Sequence, residues 1–157
     1  MIKTNAMRIL DRNKAEYKTY EYDNTQAISG AEVAKQLNQN PSCVFKTLVT
    51  TSKSKNHYVF LVPVAEELDL KKAASAVGEK SVEMLKQKDL FPLTGYVHGG
   101  CSPLGMKKQF TTVIDISAQE QGKIIFSAGK IGYQIQTTLL ELAKALSFKL
   151  AEITEKS

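Results

Sequence analysis

Gly95-Tyr96-Val97-His98-Gly99-Gly100-Cys101-Ser102-Pro103-Leu104-Gly105 puts four glycines and a proline into eleven residues, directly after a helix-like segment. Glycine lets backbone N–H groups approach a neighbour closely, so such a loop suits an oxyanion or phosphate. It equally suits a tight turn at a sheet edge. The stretches around it narrow the choice.

Upstream, Val44-Phe45-Lys46-Thr47-Leu48-Val49 reads as a strand with Lys46 on the face of Val44 and Leu48. An ammonium between two apolar side chains loses hydration and needs an anion or several acceptors, unless it snorkels to water at an exposed edge. Downstream, Ser127-Ala128-Gly129-Lys130-Ile131-Gly132-Tyr133-Gln134 is a second glycine-punctuated turn, after the apolar run Ile124-Ile125-Phe126.

Between these marks the chain alternates short helical and strand patterns. Thr4 is placed to cap a helix through Arg12, and Ala15–Tyr22 reads as a strand with an undecided inward face. Ser29 and Glu32 have capping-box spacing for a helix that ends near residues 38–40, before Pro41. Strands Cys43–Thr51 and His57–Val64 are joined by a polar run and form a hairpin. Asp69 caps a helix closed by Gly78, and a short strand near 81–84 and a helical turn at 86–90 lead to Pro92. Further strands are expected at 111–115, 123–126 and 133–136, then a helix capped by Thr137 or Thr138 with Leu139, Leu142, Ala143 and Leu146 inward, and an edge strand within 148–153. There is no regular βαβ repeat, so the expected class is α+β: a mixed, mostly antiparallel sheet with helices packed around it.

At 157 residues the chain is expected to be one domain, residues 1–157. With 43% hydrophobic and 24% charged residues it has the balance of a soluble globule, and no apolar run reaches membrane-span length. The start of the chain lacks an apolar signal core, and Cys43 and Cys101 suggest no disulfide framework, so the expected compartment is the cytoplasm, with no membrane partner. A net charge of +5, carried mostly by lysine, suits an anionic partner, and Lys71-Lys72 and Lys107-Lys108 are candidate phosphate contacts against the plainer reading of solvated charge. Cys43, His57, His98 and Cys101 have no zinc-like spacing, and the glycine loop lacks the Walker pattern, so neither a metal nor a nucleotide-hydrolysis site is expected and no cofactor is called for.

The Phe45-Lys46-Thr47-Leu48 strand, the Gly95–Gly105 loop and the Ser127–Gly132 turn, in this order, resemble the three motifs of the small bacterial YbaK/EbsC-type aminoacyl-tRNA deacylases, relatives of the editing domain inserted in bacterial prolyl-tRNA synthetases. The likeness spans nearly the whole chain. It implies the YbaK/prolyl-tRNA synthetase-associated fold and removal of cysteine from mischarged Cys-tRNA(Pro) in trans. The implied partners are the acceptor end of that tRNA and prolyl-tRNA synthetase. Lys46 is the implied essential residue, holding the terminal adenosine or its phosphate and orienting the ester. Tyr20 is implied to line the pocket with Thr47, Ser102, Ser127, Gly129 and Gln134. Many relatives have Arg at the Ile131 position and Asp at the Gln134 position, so this chain loses a cation and an anion together.

Cleaving an aminoacyl ester requires a nucleophile, a site for the developing oxyanion and help for the departing ribose hydroxyl. Backbone N–H groups of Gly99, Gly100 and Cys101 are the expected oxyanion site. For the nucleophile, the resemblance implies the substrate's own thiol, which attacks its carbonyl to give a thiolactone and free tRNA. Intramolecular attack carries a very high effective molarity, so no catalytic triad is needed. Two alternatives stand beside this: a thiol hydrolase built on Cys101 with His98, and a non-catalytic module that binds aminoacyl-adenosine or a nucleotide.

Overall fold

The computed structural model describes residues 2–25 and 29–155. Its elements run α1 (Asn5–Arg12), β1 (Lys18–Glu21), α2 (Gly30–Gln36), β2 (Phe45–Ser52), β3 (His57–Pro63), α3 (Leu70–Val77), β4 (Val82–Met84), α4 (Gln87–Thr94), β5 (Thr111–Asp115), β6 (Ile124–Ser127), β7 (Tyr133–Thr137), α5 (Leu139–Leu142) and β8 (Lys149–Ala151). The class is α+β, as the interspersed patterns predict. The strands, however, divide between two sheets: an antiparallel one in the order β1-β7-β6, and a mixed one in the order β4-β2-β3-β5-β8 with β3-β5 and β5-β8 parallel.

The caps are where the sequence puts them. Thr4 accepts from Met7 N–H and Ser29 from Glu32 N–H, each within a reciprocal capping box. Asp69 accepts from the N–H groups of Lys71 and Lys72, and Gly78 closes α3 in the left-handed conformation. Three boundaries differ. Strand β1 is shorter than the β-prone run from Ala15, pairing only over Lys18–Glu21 with β7. Helix α4 extends beyond the turn expected at 86–90 and runs through Pro92 to Thr94. The proline forfeits the bond its N–H would have made to Lys88 O, while Gly95 N–H still donates to Phe91 O and Thr94 Oγ1 to Leu90 O, both at 2.8 Å. Helix α5 stops at Leu142 because the next N–H groups tighten to three-residue spacing, Lys144 to Glu141 O and Ala145 to Leu142 O, although Leu146 still reaches the core.

Side-chain alternation assigns the two faces of the five-stranded sheet. Phe45, Val49, Val59, Leu61 and Ile114 face a large apolar cluster with Ala6, Met7 and Leu10 of α1, Phe126 and Ile135 of the smaller sheet, and Cys101 and Leu104 of the glycine loop. Phe60, Val62 and Val113 face the other way, against Leu68, Ala73, Ala74 and Ile153. The sheets meet where Val44 bridges Ile125 in parallel, in a third cluster with Ala34 of α2, Cys43 and the partly buried Tyr20 and Val64.

Phe126 is fully buried between the sheets, whereas Leu140 on α5 is 78% exposed. Phe126→Ala is therefore expected to cost about 4 kcal/mol in urea unfolding, with Leu140→Ala within about 0.5 kcal/mol of wild type.

Candidate active site

Lys46 pairs with Val62 and shares a face with Leu48. The Val44–Ile125 bridge sets β2 beside β6, and two residues further along both strands stand Lys46 and Ser127. Ser127 pairs with Gln134, and Gln134 with Tyr20. Directly paired residues share a face. Tyr20, Gln134 and Ser127 thus form one row across the smaller sheet, on the side that Val44 continues to Lys46. This brings together four of the positions singled out in the sequence.

The row has little charge and some spare hydrogen-bonding capacity. Gln134 is 6% exposed, and its carboxamide bonds to no described residue. Ser127 Oγ accepts from Gly129 N–H at 3.1 Å, leaving its own proton to donate. The Tyr20 hydroxyl donates to Gln136 Oε1 at 2.6 Å. Lys46, with its side chain 28% exposed, lies 3.6 Å from the carboxylate of Glu67. That carboxylate was not singled out in the sequence. Its only signal there is its place just past the strand that pairs with that of Lys46.

The glycine loop closes against the Ser127–Gly132 turn. The Tyr96 hydroxyl donates to Leu104 O at 2.5 Å, fixing the loop's two ends, and the ring lies over Gly129. A Cβ on Gly129 would stand 2.9 Å from that ring, at a φ of +93° that also disfavours a side chain. A Cβ on Gly100 would stand 3.3 Å from both Ile131 Cγ1 and Ile131 N. Ile131 here forms the floor under Gly100.

Three expectations about the site change. Gly100 N–H does not face outward: it donates to Val97 O at 2.9 Å, closing a turn whose third residue is Gly99 at φ +86°. The amides of Gly99 and Cys101 find no acceptor among the described residues. Thr47 does not join Lys46, because alternation turns it toward Leu61 and the large cluster, where Oγ1 is buried without a partner. Ser102 is fully buried, and its Oγ accepts from Leu104 N–H at 3.3 Å, so it shapes the loop.

Cys101 is 8% exposed, and burial pushes its thiol up to about 12, far from a neutral-pH thiolate. His98 is exposed, on the other side of two glycines. The pair lacks the access and ionisation of a nucleophilic dyad. The lysine pairs are also accounted for in part: Lys72 bonds Glu152 at 3.1 Å and Thr154 O at 2.9 Å, and Lys107 lies over the Phe91 ring.

An open groove of about 1470 Å³ adjoins Tyr20 and Gln136 and runs toward α1, but Lys46 and Gly99–Cys101 are not in its lining. Its Lys3, Lys18 and Lys123 are balanced by Asp11, Glu16 and Glu141, so it lacks the charge excess of an RNA backbone track. Among the described residues, no helix is long and apolar enough to cross a membrane.

Lys46 and a row of neutral polar groups thus share one face of the joined sheets, and the glycine loop packs against the Ser127–Gly132 turn that follows the row. The family model described as "Aminoacyl-tRNA editing domain" matches residues 25–145. The Enterococcus faecalis protein named "Putative Cys-tRNA(Pro)/Cys-tRNA(Cys) deacylase EbsC" is 46% identical over 155 residues, covering 98% of this chain and 94% of the relative. The chain belongs to the aminoacyl-tRNA editing domain family. Two solved structures share the fold: "a putative trans-editing enzyme for prolyl tRNA synthetase", with TM-score 0.84 and 22% identity over 98% of this chain and 99% of that one, and "hypothetical protein APE2540", with TM-score 0.85 and 20% identity over 94% and 97%.

The buried thiol gives a pH test. Unfolding restores Cys101 to its ordinary value near 9, so ionisation favours the unfolded chain once pH exceeds that value, and stability falls until the folded value near 12 is reached. Between pH 8 and 10.5 this contribution amounts to about 2 kcal/mol. Urea unfolding of Cys101→Ala is expected to lose about that much less than wild type over the same interval.

Proposed function

We propose that the chain acts as a single domain, residues 1–157, in the cytoplasm as a trans-editing deacylase that removes cysteine from mischarged Cys-tRNA(Pro). Family membership and the extent of the match to the E. faecalis relative support the reaction class. The observation that carries it to particular residues is the single face that Lys46 shares with Ser127, Gln134 and Tyr20.

In this reading the acceptor-end adenosine lies along the row, with the ester carbonyl directed at the Gly99 and Cys101 amides and at Lys46. Gly100 contributes as the hinge of the turn that aims its neighbours, and Gly129 as the flat seat for Tyr96 that keeps the loop closed. Gln134 and the Ser127 hydroxyl supply hydrogen bonds to the ribose and acyl group. Tyr20, whose hydroxyl already leans on Gln136, borders the acyl end.

The substrate's thiol loses its proton to solvent, and its sulfur attacks the carbonyl carbon. Charge collects on the carbonyl oxygen, where the two amides and the ammonium stabilise it; each such donor is typically worth about 3 kcal/mol of barrier. Collapse of the intermediate breaks the bond to the ribose oxygen, which takes up a proton, leaving tRNA and a four-membered thiolactone that water opens to cysteine. Alanyl and prolyl esters offer no thiol and so no such path. The chain needs to contribute pose and charge stabilisation only. Prolyl-tRNA synthetase, holding the tRNA body, would supply the discrimination among tRNAs that a chain of this size with a modest positive charge lacks.

The test is deacylation of Cys-tRNA(Pro), Cys-tRNA(Cys), Ala-tRNA(Pro) and Pro-tRNA(Pro). Cysteinyl esters are expected to be cleaved and the others spared, with kcat falling about a hundredfold or more in Lys46→Ala and in Gly100→Ala, whose new methyl group displaces the loop from Ile131. Cys101→Ala is expected to keep wild-type kcat; its loss in a folded variant would instead favour the thiol hydrolase. No cleavage of any ester would favour the binding module. Adding prolyl-tRNA synthetase is expected to raise the rate on Cys-tRNA(Pro) relative to Cys-tRNA(Cys).

A further inference from the structure

The pairing of Lys46 with Glu67 has features of a placeholder. At 3.6 Å it is longer than a tight charge-assisted bond, and the Glu67 side chain is 75% exposed. The main chain beneath it is pinned: Glu155 N–H donates to Glu67 O and Asp69 N–H to Ile153 O, and Leu68 bridges Thr154. A fixed backbone thus carries an exposed carboxylate to Lys46, at the edge of the face on which Tyr20, Gln134 and Ser127 are all neutral. Among the described residues, Glu67 is the one anion ion-paired with Lys46.

An aminoacyl ester has a matching polarity. Its carbonyl oxygen gathers negative charge during cleavage, and its α-amino group, one carbon away, is a hydrogen-bond donor and a cation when protonated. We propose that Glu67 is the acceptor for the α-amino group of the aminoacyl ester, released from Lys46 when the ester carbonyl takes its place. The Lys46–Glu67 pair then reads both ends of the aminoacyl unit, and Glu67 is a specificity-determining residue that selects an unblocked amine. This rests on the deacylase reading for the identity of the ligand.

The experiment separates the two. Binding is measured by calorimetry with two hydrolysis-resistant 3′-amino-3′-deoxyadenosines, one acylated with cysteine and one with 3-mercaptopropionate, which is the same group without the amine. Wild type is expected to hold the cysteinyl compound about tenfold tighter. Glu67→Gln is expected to lose most of that margin while binding the 3-mercaptopropionyl compound as wild type does. The corresponding tRNA esters are expected to show the same collapse in the ratio of kcat/KM, arising mainly in KM. An unchanged preference in Glu67→Gln, or an equal loss for both compounds, overturns the proposal. If wild type binds both adenosines but cleaves neither ester, the deacylase reading fails and the binding ratio still decides the role of Glu67. Binding of neither compound overturns both.

Discussion

The parallel contact of Val44 with Ile125 is the constraint on which the rest depends. It is one bridge, yet it joins two sheets that otherwise have separate hydrogen-bond ladders. Because alternation is strict along each strand, fixing this one register fixes the face of every residue near it. A shift by one residue would send Lys46 to the large cluster and Phe45 outward. The apolar cluster of Ala34, Cys43, Val44 and Ile125 holds the register with buried contacts, so the position of Lys46 is maintained by residues with no chemistry of their own.

The glycine loop is organised by a second constraint, the aromatic ring of Tyr96. Its hydroxyl ties the loop to Leu104 O, its face rests on Gly129, and burial pushes its phenol up to about 12, so the ring stays neutral and seated. Cys101 and Leu104 then anchor the loop in the large cluster. The loop is thus a core-anchored support, in which the amides of Gly99 and Cys101 have no acceptor among the described residues. In the proposed reaction, donors held in this way would cost no reorganisation when charge develops.

Much of this is legible in the chain itself. Thr4, Ser29 and Asp69 are caps by local chemistry, and the structure finds each of them accepting the expected amides. The hairpin of β2 and β3 follows from two β-prone runs around a polar turn, and the alternation of Phe45 and Val49 against Lys46 and Leu48 follows from a period of two. Thr47 shows the limit of motif reading: adjacency in Phe45-Lys46-Thr47 suggests a shared pocket, while the pleat places it on the other side. Gly100 shows another. A glycine-rich loop advertises available amides without saying which one the turn itself consumes.

What the sequence by itself determined is everything governed by neighbours a few residues apart: the caps, the hairpin, which strand positions share a face and the density of glycine at the loop. What only the tertiary structure decided is what depends on contacts between separate segments of the chain: the division into two sheets, the row of Tyr20, Gln134 and Ser127, the Ile131 floor under Gly100, the burial of Cys101 and the carboxylate of Glu67 beside Lys46. The physical reason is that side-chain alternation and capping are properties of a local backbone. Sheet partnership and ion pairing across segments are settled by packing of the whole chain, for which no local period leaves a mark.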